Sequence, residues 1–216
     1  TPSSAKSPIA NVDITLNSVS LQEIQTDTPR IDFTNDTKGH LLLEPQSTNL
    51  LTYSEALDNY SNSNTVCTPN FAISPDGTQN ATKVDFTASF TNRLGVNGSV
   101  NSGETVTQSI FVKYVDAQYV QLWFGSAGFS GLKQTNFDLI NGTASNSAGT
   151  IQSLQNGWYR ITCKNTATST AANTGIFNLV VVNSFSASRF GDEADGSVLA
   201  FGGQYEKLSY ATSYIP

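Results

Sequence analysis

The chain has 216 residues, with no methionine, one histidine, two cysteines and two tryptophans. Charged side chains make up only 13% of it, and 11 Lys+Arg against 17 Asp+Glu leave a formal net charge of −6. Each shortage excludes something. Two cysteines and one histidine cannot supply the four ligands of a closed zinc site. Few basic residues in an acidic chain do not make the clustered phosphate contacts that nucleic acid requires, so no nucleic-acid partner is expected. The longest clear apolar run, Leu179-Val180-Val181-Val182, is far too short for a membrane span, so no membrane insertion is expected. The composition is also poor in the residues that fill helices, which argues against a helical protein. A chain without methionine is expected to be processed, or to be a piece of something longer.

What is present is Ser (26), Thr (25), Asn (20) and Gly (16), about two fifths of the chain. Hydrophobic residues at 38% and aromatics at 10% are enough for one core, so wholesale disorder is not expected. Residues 1–28 read as an extended N-terminal arm and 29–216 as the folded domain. Ser54 to Asp58 can form one helical turn. Ser74-Pro75-Asp76-Gly77 is a turn, with Pro presetting φ and Gly supplying positive φ. Period-two alternation predicts strands over 81–86, 106–115, 119–124, 157–162, 176–182 and 198–201, with a further strand ending at Leu139 before Asn141-Gly142-Thr143. Strands at this spacing, with Gly, Asn and Ser in the turns, predict an all-β, two-sheet antiparallel β-sandwich or jelly roll.

Several stretches form an ordered set. They are Thr28-Pro29-Arg30-Ile31-Asp32-Phe33, Leu41 to Leu51 around Glu44-Pro45-Gln46, Tyr53-Ser54-Glu55, Ser74 to Thr78, Gly157-Trp158-Tyr159-Arg160, and Gly202 to Glu206 with Ala211 to Pro216. Together they resemble the jelly-roll domains of bacteriophage tail and head-spike fibre proteins, which are similar in turn to carbohydrate-binding modules of secreted polysaccharide-degrading enzymes. The resemblance implies a virion-surface or extracellular location, a host-surface or environmental polysaccharide as partner, and contact with other virion subunits, as a homotrimer in a viral setting. Two alternatives stand beside a glycan-binding spike domain: a carbohydrate-binding module excised from a secreted enzyme, and a purely structural trimeric decoration. The motif around Trp158 and the pair Gln204 and Glu206 read as fold maintenance.

No catalytic set is legible. There is no Glu-x-Asp-x-x-Glu strand of the kind jelly-roll glucanases carry, no nucleophile elbow and no phosphate-binding glycine loop. The single histidine, His40, lies in a turn-like context without an evident partner. The expectation from sequence is therefore a chain without catalytic activity and without a required cofactor. Cys67 and Cys163 can pair or remain free. Asp192, Glu193 and Asp195 crowd a glycine-bounded loop; oxygen ligands suit calcium, so a structural calcium is one reading and a solvated acidic hairpin tip the other. For ligand binding, alternation sets Tyr119, Gln121 and Trp123 on the face away from Val120, Leu122 and Phe124, and Phe111 and Lys113 away from Ile110 and Val112. If the two strands are neighbours, one sheet face shows rings beside amide and ammonium groups, which suits a sugar.

Overall fold

The computed structural model describes residues 30–32, 40–42, 44–131 and 133–216. The chain divides into two compact units, Thr1–Gln46 and Ser47–Pro216. In the first, β1 (Arg30–Asp32) pairs antiparallel with β2 (His40–Leu42), Asp32 opposite His40. The expected arm over residues 1–28 lies outside the described residues.

The second unit is all β. Its strands are β3 (Ser61–Ser63), β4 (Thr65–Ala72), β5 (Ala81–Phe86), β6 (Arg93–Val100), β7 (Thr105–Tyr114), β8 (Tyr119–Trp123), β9 (Gln134–Asp138), β10 (Thr143–Ala144), β11 (Gly149–Ser153), β12 (Trp158–Thr166), β13 (Ala171–Val182) and β14 (Gly196–Glu206). The first sheet runs β10-β9-β8-β13-β6-β3 and the second β11-β12-β7-β14-β5-β4, with all pairings antiparallel. This is the two-sheet sandwich expected from the alternation. The expected helical turn falls slightly later, as a 3-10 turn over Leu57–Asn59, and a second 3-10 turn spans Gln155–Gly157.

The core follows from period-two patterning. Val106, Ile110 and Val112 of β7, Val84 and Phe86 of β5 and Ile161 of β12 meet Val120 and Leu122 of β8, Phe137 of β9 and Phe177, Leu179 and Val181 of β13. Hydrophobic burial here supplies the main driving force for folding. Polar side chains at one break in the ladder are also enclosed. A shift in the β13–β6 register between Gly175 and Phe177 accompanies an Asn178 N–H that donates to Gln108 Oε1, at 3.1 Å, from the opposite sheet. Pro69 sits in β4, an edge strand with its own register shift, where a missing N–H is tolerated.

Cys67 and Cys163 are free thiols. They lie on β4 and β12, four strand spacings apart in one sheet, roughly 19 Å, far beyond the reach of a disulfide.

Candidate functional site

The residues expected to form one sugar-facing surface lie on opposite sheets. β7 belongs to the second sheet and β8 to the first, because the chain crosses the sandwich between Tyr114 and Tyr119. Their outward faces therefore point in opposite directions, and Phe111 and Lys113 cannot join Tyr119, Gln121 and Trp123 in one site.

Nor is the outward side of β8 open. The segment between β13 and β14 folds over it. Gln121 is fully buried; its Nε2 donates to Asn136 Oδ1 at 2.7 Å. Asn136 Nδ2 in turn donates to the carbonyl of Ala187, at 2.8 Å. Tyr119 packs against Phe185, and Trp123 meets Phe190 edge-on with ring centroids 5.9 Å apart. Trp123 is only 8% exposed. On the second sheet Phe111 packs with Trp158, Leu199 and Phe201 beneath Tyr214, while Lys113 is half-buried at the margin. Trp158 and the bonded pair Gln204–Glu206 are buried, in keeping with a structural role.

The three carboxylates read as a calcium loop do not converge. Asp192 accepts from the Ser188 N–H and hydroxyl, Glu193 pairs with Arg189 at 2.8 Å, and Asp195 accepts the Ala88 N–H. Asp192 and Glu193 bond within the loop while Asp195 ties it to Ala88, and among the described residues no group of three acidic, His or Cys side chains is placed to hold a metal.

A different cleft stands open beside β3 and β6, at the edge of the first sheet, with a volume of about 450 Å³. It is built from Asn49 outward. Asn49 Nδ2 donates to the carbonyls of Gly203 (3.0 Å) and Ile215 (2.9 Å). Its Oδ1 accepts from the N–H groups of Leu51 and Tyr205, both at 3.1 Å. The Leu50 N–H donates to the Tyr205 carbonyl, and the Gly203 N–H to that of Ser54. One asparagine thus clips residues 49–54 to the kink in β14 and holds Leu50 and Tyr53 at the mouth. Tyr53 is 53% exposed.

Tyr60, Tyr205 and Ile176 line the inner part of the cleft, and Thr52, Asn59, Ser61, Asn97 and Ser99 bring hydroxyls and amides to its sides. Gly203 is required beside Tyr60, since a Cβ there would come within 2.5 Å of the phenol oxygen. The phenol oxygens of Tyr60 and Tyr205 are buried without a hydrogen-bond partner among the described residues. Burial pushes both phenol pKa values up, with Tyr214 adding to the effect at Tyr60 and Glu104 at Tyr205, so both hydroxyls keep their protons. The lining is uncharged throughout. Chemically it can stack a ring face on Tyr53 and exchange hydrogen bonds with a polyhydroxylated molecule.

Sequence reasoning missed this cleft. Tyr53 stands in a loop, and β6 reads Arg-Leu-Gly-Val-Asn-Gly-Ser-Val, where two glycines blur the alternation. The usable signal was Asn49 followed by Tyr53 in the ordered motifs.

No family model and no curated protein matches the chain. Among solved structures it is similar to the crystal structure of the bacteriophage CBA120 tailspike protein 4 enzymatically active domain, at a TM-score of 0.40 and 9% identity. The match covers 80% of this chain and 23% of that one, so this chain spans under a quarter of that structure's length. The same finding overturns the expectation of a chain without catalytic activity, because the solved structure is an enzymatically active domain, and that expectation is dropped.

Proposed function

We propose that this chain is part of a virion spike or fibre and contacts carbohydrate through the cleft edged by Tyr53. The observation that carries the reading is the combination, within one cleft, of an exposed tyrosine ring and an uncharged wall of amides and hydroxyls. A volume of about 450 Å³ falls in the range of small-ligand sites and suits one or two sugar units. The C–H face of a sugar stacks on an aromatic ring while its hydroxyls satisfy convergent donors and acceptors. The virion setting rests on the ordered motifs. A glycan array probed with the native chain and with Tyr53→Ala tests the reading. Neutral glycans retained by the native chain and lost by the variant support it; equal retention by both removes the cleft from the account.

A second reading, self-association within a virion assembly, is favoured by one observation. Phe90 and Phe190 stack at 4.8 Å and remain 62% and 46% exposed. An exposed aromatic pair is the kind of surface a neighbouring subunit covers. Light scattering on the native chain and on Phe90→Ser separates the outcomes: a trimer that falls to monomer supports this reading, and a native monomer opposes it.

A further inference from the structure

Two irregularities in one strand pair shape the wall of the Tyr53 cleft. The β13–β6 ladder shifts register between Ala171 and Thr174 and again between Gly175 and Phe177, on either side of the pairs Thr174–Gly98 and Gly175–Asn97. At the second shift Gly175 faces Asn97 and Phe177 faces Val96, so Ile176 is the residue without a partner in the ladder. A bulge of this kind re-aims a side chain and recurs beside functional sites. Ile176 lies against Gly98, where a Cβ would come within 2.6 Å of its Cδ1, and it lines the cleft together with Val96. Glycine at position 98 thus makes the room that the isoleucine fills.

The neighbouring position on β6 has the opposite character. Asn97 is exposed on the cleft wall, and its side-chain amide bonds to no other described residue. Other amides in this part of the fold are spent on holding it together. Asn49 makes four hydrogen bonds, Asn59 Nδ2 donates to the Ala56 carbonyl at 3.3 Å, and Asn178 Nδ2 donates to the Trp123 carbonyl at 3.0 Å. A free primary amide, with one donor end and one acceptor end, therefore stands on the same wall as a carbon surface made by Ile176 and Val96.

Those two features match the two halves of an acetamido group. Its N–H and carbonyl complement the carbonyl and NH2 of an asparagine, and its methyl is favoured against carbon rather than water. A plain hexose offers a hydroxyl at the same place and leaves the carbon surface unused. A free amino sugar would bring a cation into a lining with no carboxylate to meet it, and a uronate would bring an anion into one with no cation. We infer that the cleft selects an N-acetylated amino sugar, with Asn97 reading the amide and Ile176 and Val96 receiving the methyl. The inference rests on the reading of this cleft as a carbohydrate site.

The test is an NMR titration with the methyl glycosides of N-acetylglucosamine, N-acetylgalactosamine and N-acetylmannosamine, each beside its parent hexose. At least one acetamido sugar is expected to bind about tenfold more tightly than its parent, a gain within reach of one buried methyl. Saturation transfer from the protein is expected to be strongest at the acetyl methyl. Asn97→Ala is expected to bring the acetamido-to-parent ratio toward one. Asn97 is exposed, so its exchange leaves the fold intact, which an unchanged melting temperature verifies. Tyr53→Ala is expected to weaken acetamido and parent sugars alike. Equal affinity within every pair, a silent acetyl methyl, or an unchanged ratio in Asn97→Ala overturns the inference. Parent hexoses that bind through Tyr53 with no acetamido preference leave the cleft standing as a sugar site and overturn only its selectivity. No binding by any of these sugars removes both.

Discussion

The guanidinium of Arg189 lies over the indole of Trp123, its central carbon 5.2 Å from the ring centroid, and over Phe190 at 4.8 Å on the same loop. The Arg189 and Glu193 side chains, 5% and 4% exposed, are bridged at 2.8 Å, and Arg189 also donates to the Asn92 carbonyl. Burial lowers the Arg189 pKa, while Glu193 opposes that shift. This arrangement converts Trp123 from an open sugar platform into the floor beneath a loop.

Breaking that pair leaves a buried cation without its partner. Glu193→Gln is expected to cost about 3–5 kcal/mol of folding stability, read from urea unfolding midpoints, because the guanidinium stays desolvated. Binding of neutral glycan at the Tyr53 cleft should be unchanged. A loss below about 1 kcal/mol would show that the loop opens and lets water reach Arg189.

Asn49 makes four hydrogen bonds that clip residues 49–54 to β14 and the C-terminal segment. Asn49→Ala should reduce stability by about 1–3 kcal/mol, since it leaves buried backbone groups unpaired, and should weaken saccharide binding by releasing Tyr53. Urea unfolding and calorimetry measure the two effects separately. Intact binding with reduced stability would show that the clip supports the fold alone.

Both thiols are expected to react slowly. Burial raises Cys67 to about 11, helped by Asp58 and Asp85, and raises Cys163 to about 11 against a small opposing effect of Thr135. Near neutral pH almost no thiolate is present. Alkylation of the native chain should be slow at both positions. After unfolding without reductant, mass spectrometry should find both cysteines labelled; an unlabelled pair would reveal a disulfide and contradict the strand order.

Acid sensitivity has a definite sign. Desolvation raises the Asp76 pKa, but hydrogen bonds from Ser74, Thr78 and Asn80 outweigh it and bring the group to about 2. Asp138 is lowered in the same way, desolvation being outweighed by hydrogen bonds from Asn141, Ile140 and Gln118. A carboxylate depressed below its unfolded value of about 4 stabilises the fold at pH above that value, and the contribution is lost as pH falls toward about 2. Urea midpoints should therefore hold level from about pH 7 to about pH 5 and decline below about pH 4. A midpoint that rises in acid would contradict this.

Much of the fold was legible because alternation has a period of two and burial enforces it. Ile110 and Val112, Val120 and Leu122, and Leu179 and Val181 all face the core as their spacing requires. Strand pairing was less legible. β7 and β8 are consecutive, yet the short connection Val115–Gln118 passes from one sheet to the other, and nothing local distinguishes that crossing from a hairpin. Gln121 and Trp123 were misread as open because their cover, residues 185–190, lies more than sixty residues away in sequence. The acidic loop was visible as composition, but the hydrogen bonds that spend each carboxylate on Ser188, Arg189 and Ala88 are tertiary facts. The cleft escaped notice because Gly95 and Gly98 carry no pattern, although a Cβ at Gly98 would collide with Ile176 and one at Gly95 with Asn178.

The central claim is that the Tyr53 cleft receives a sugar, and amide chemical-shift mapping during titration with a neutral oligosaccharide tests it most directly. The account predicts saturable shifts at Ser61, Asn97 and Ser99, absent in Tyr53→Ala, with Gln121 and Trp123 unmoved. Shifts confined to the other sheet faces, or none with any neutral oligosaccharide, would contradict it.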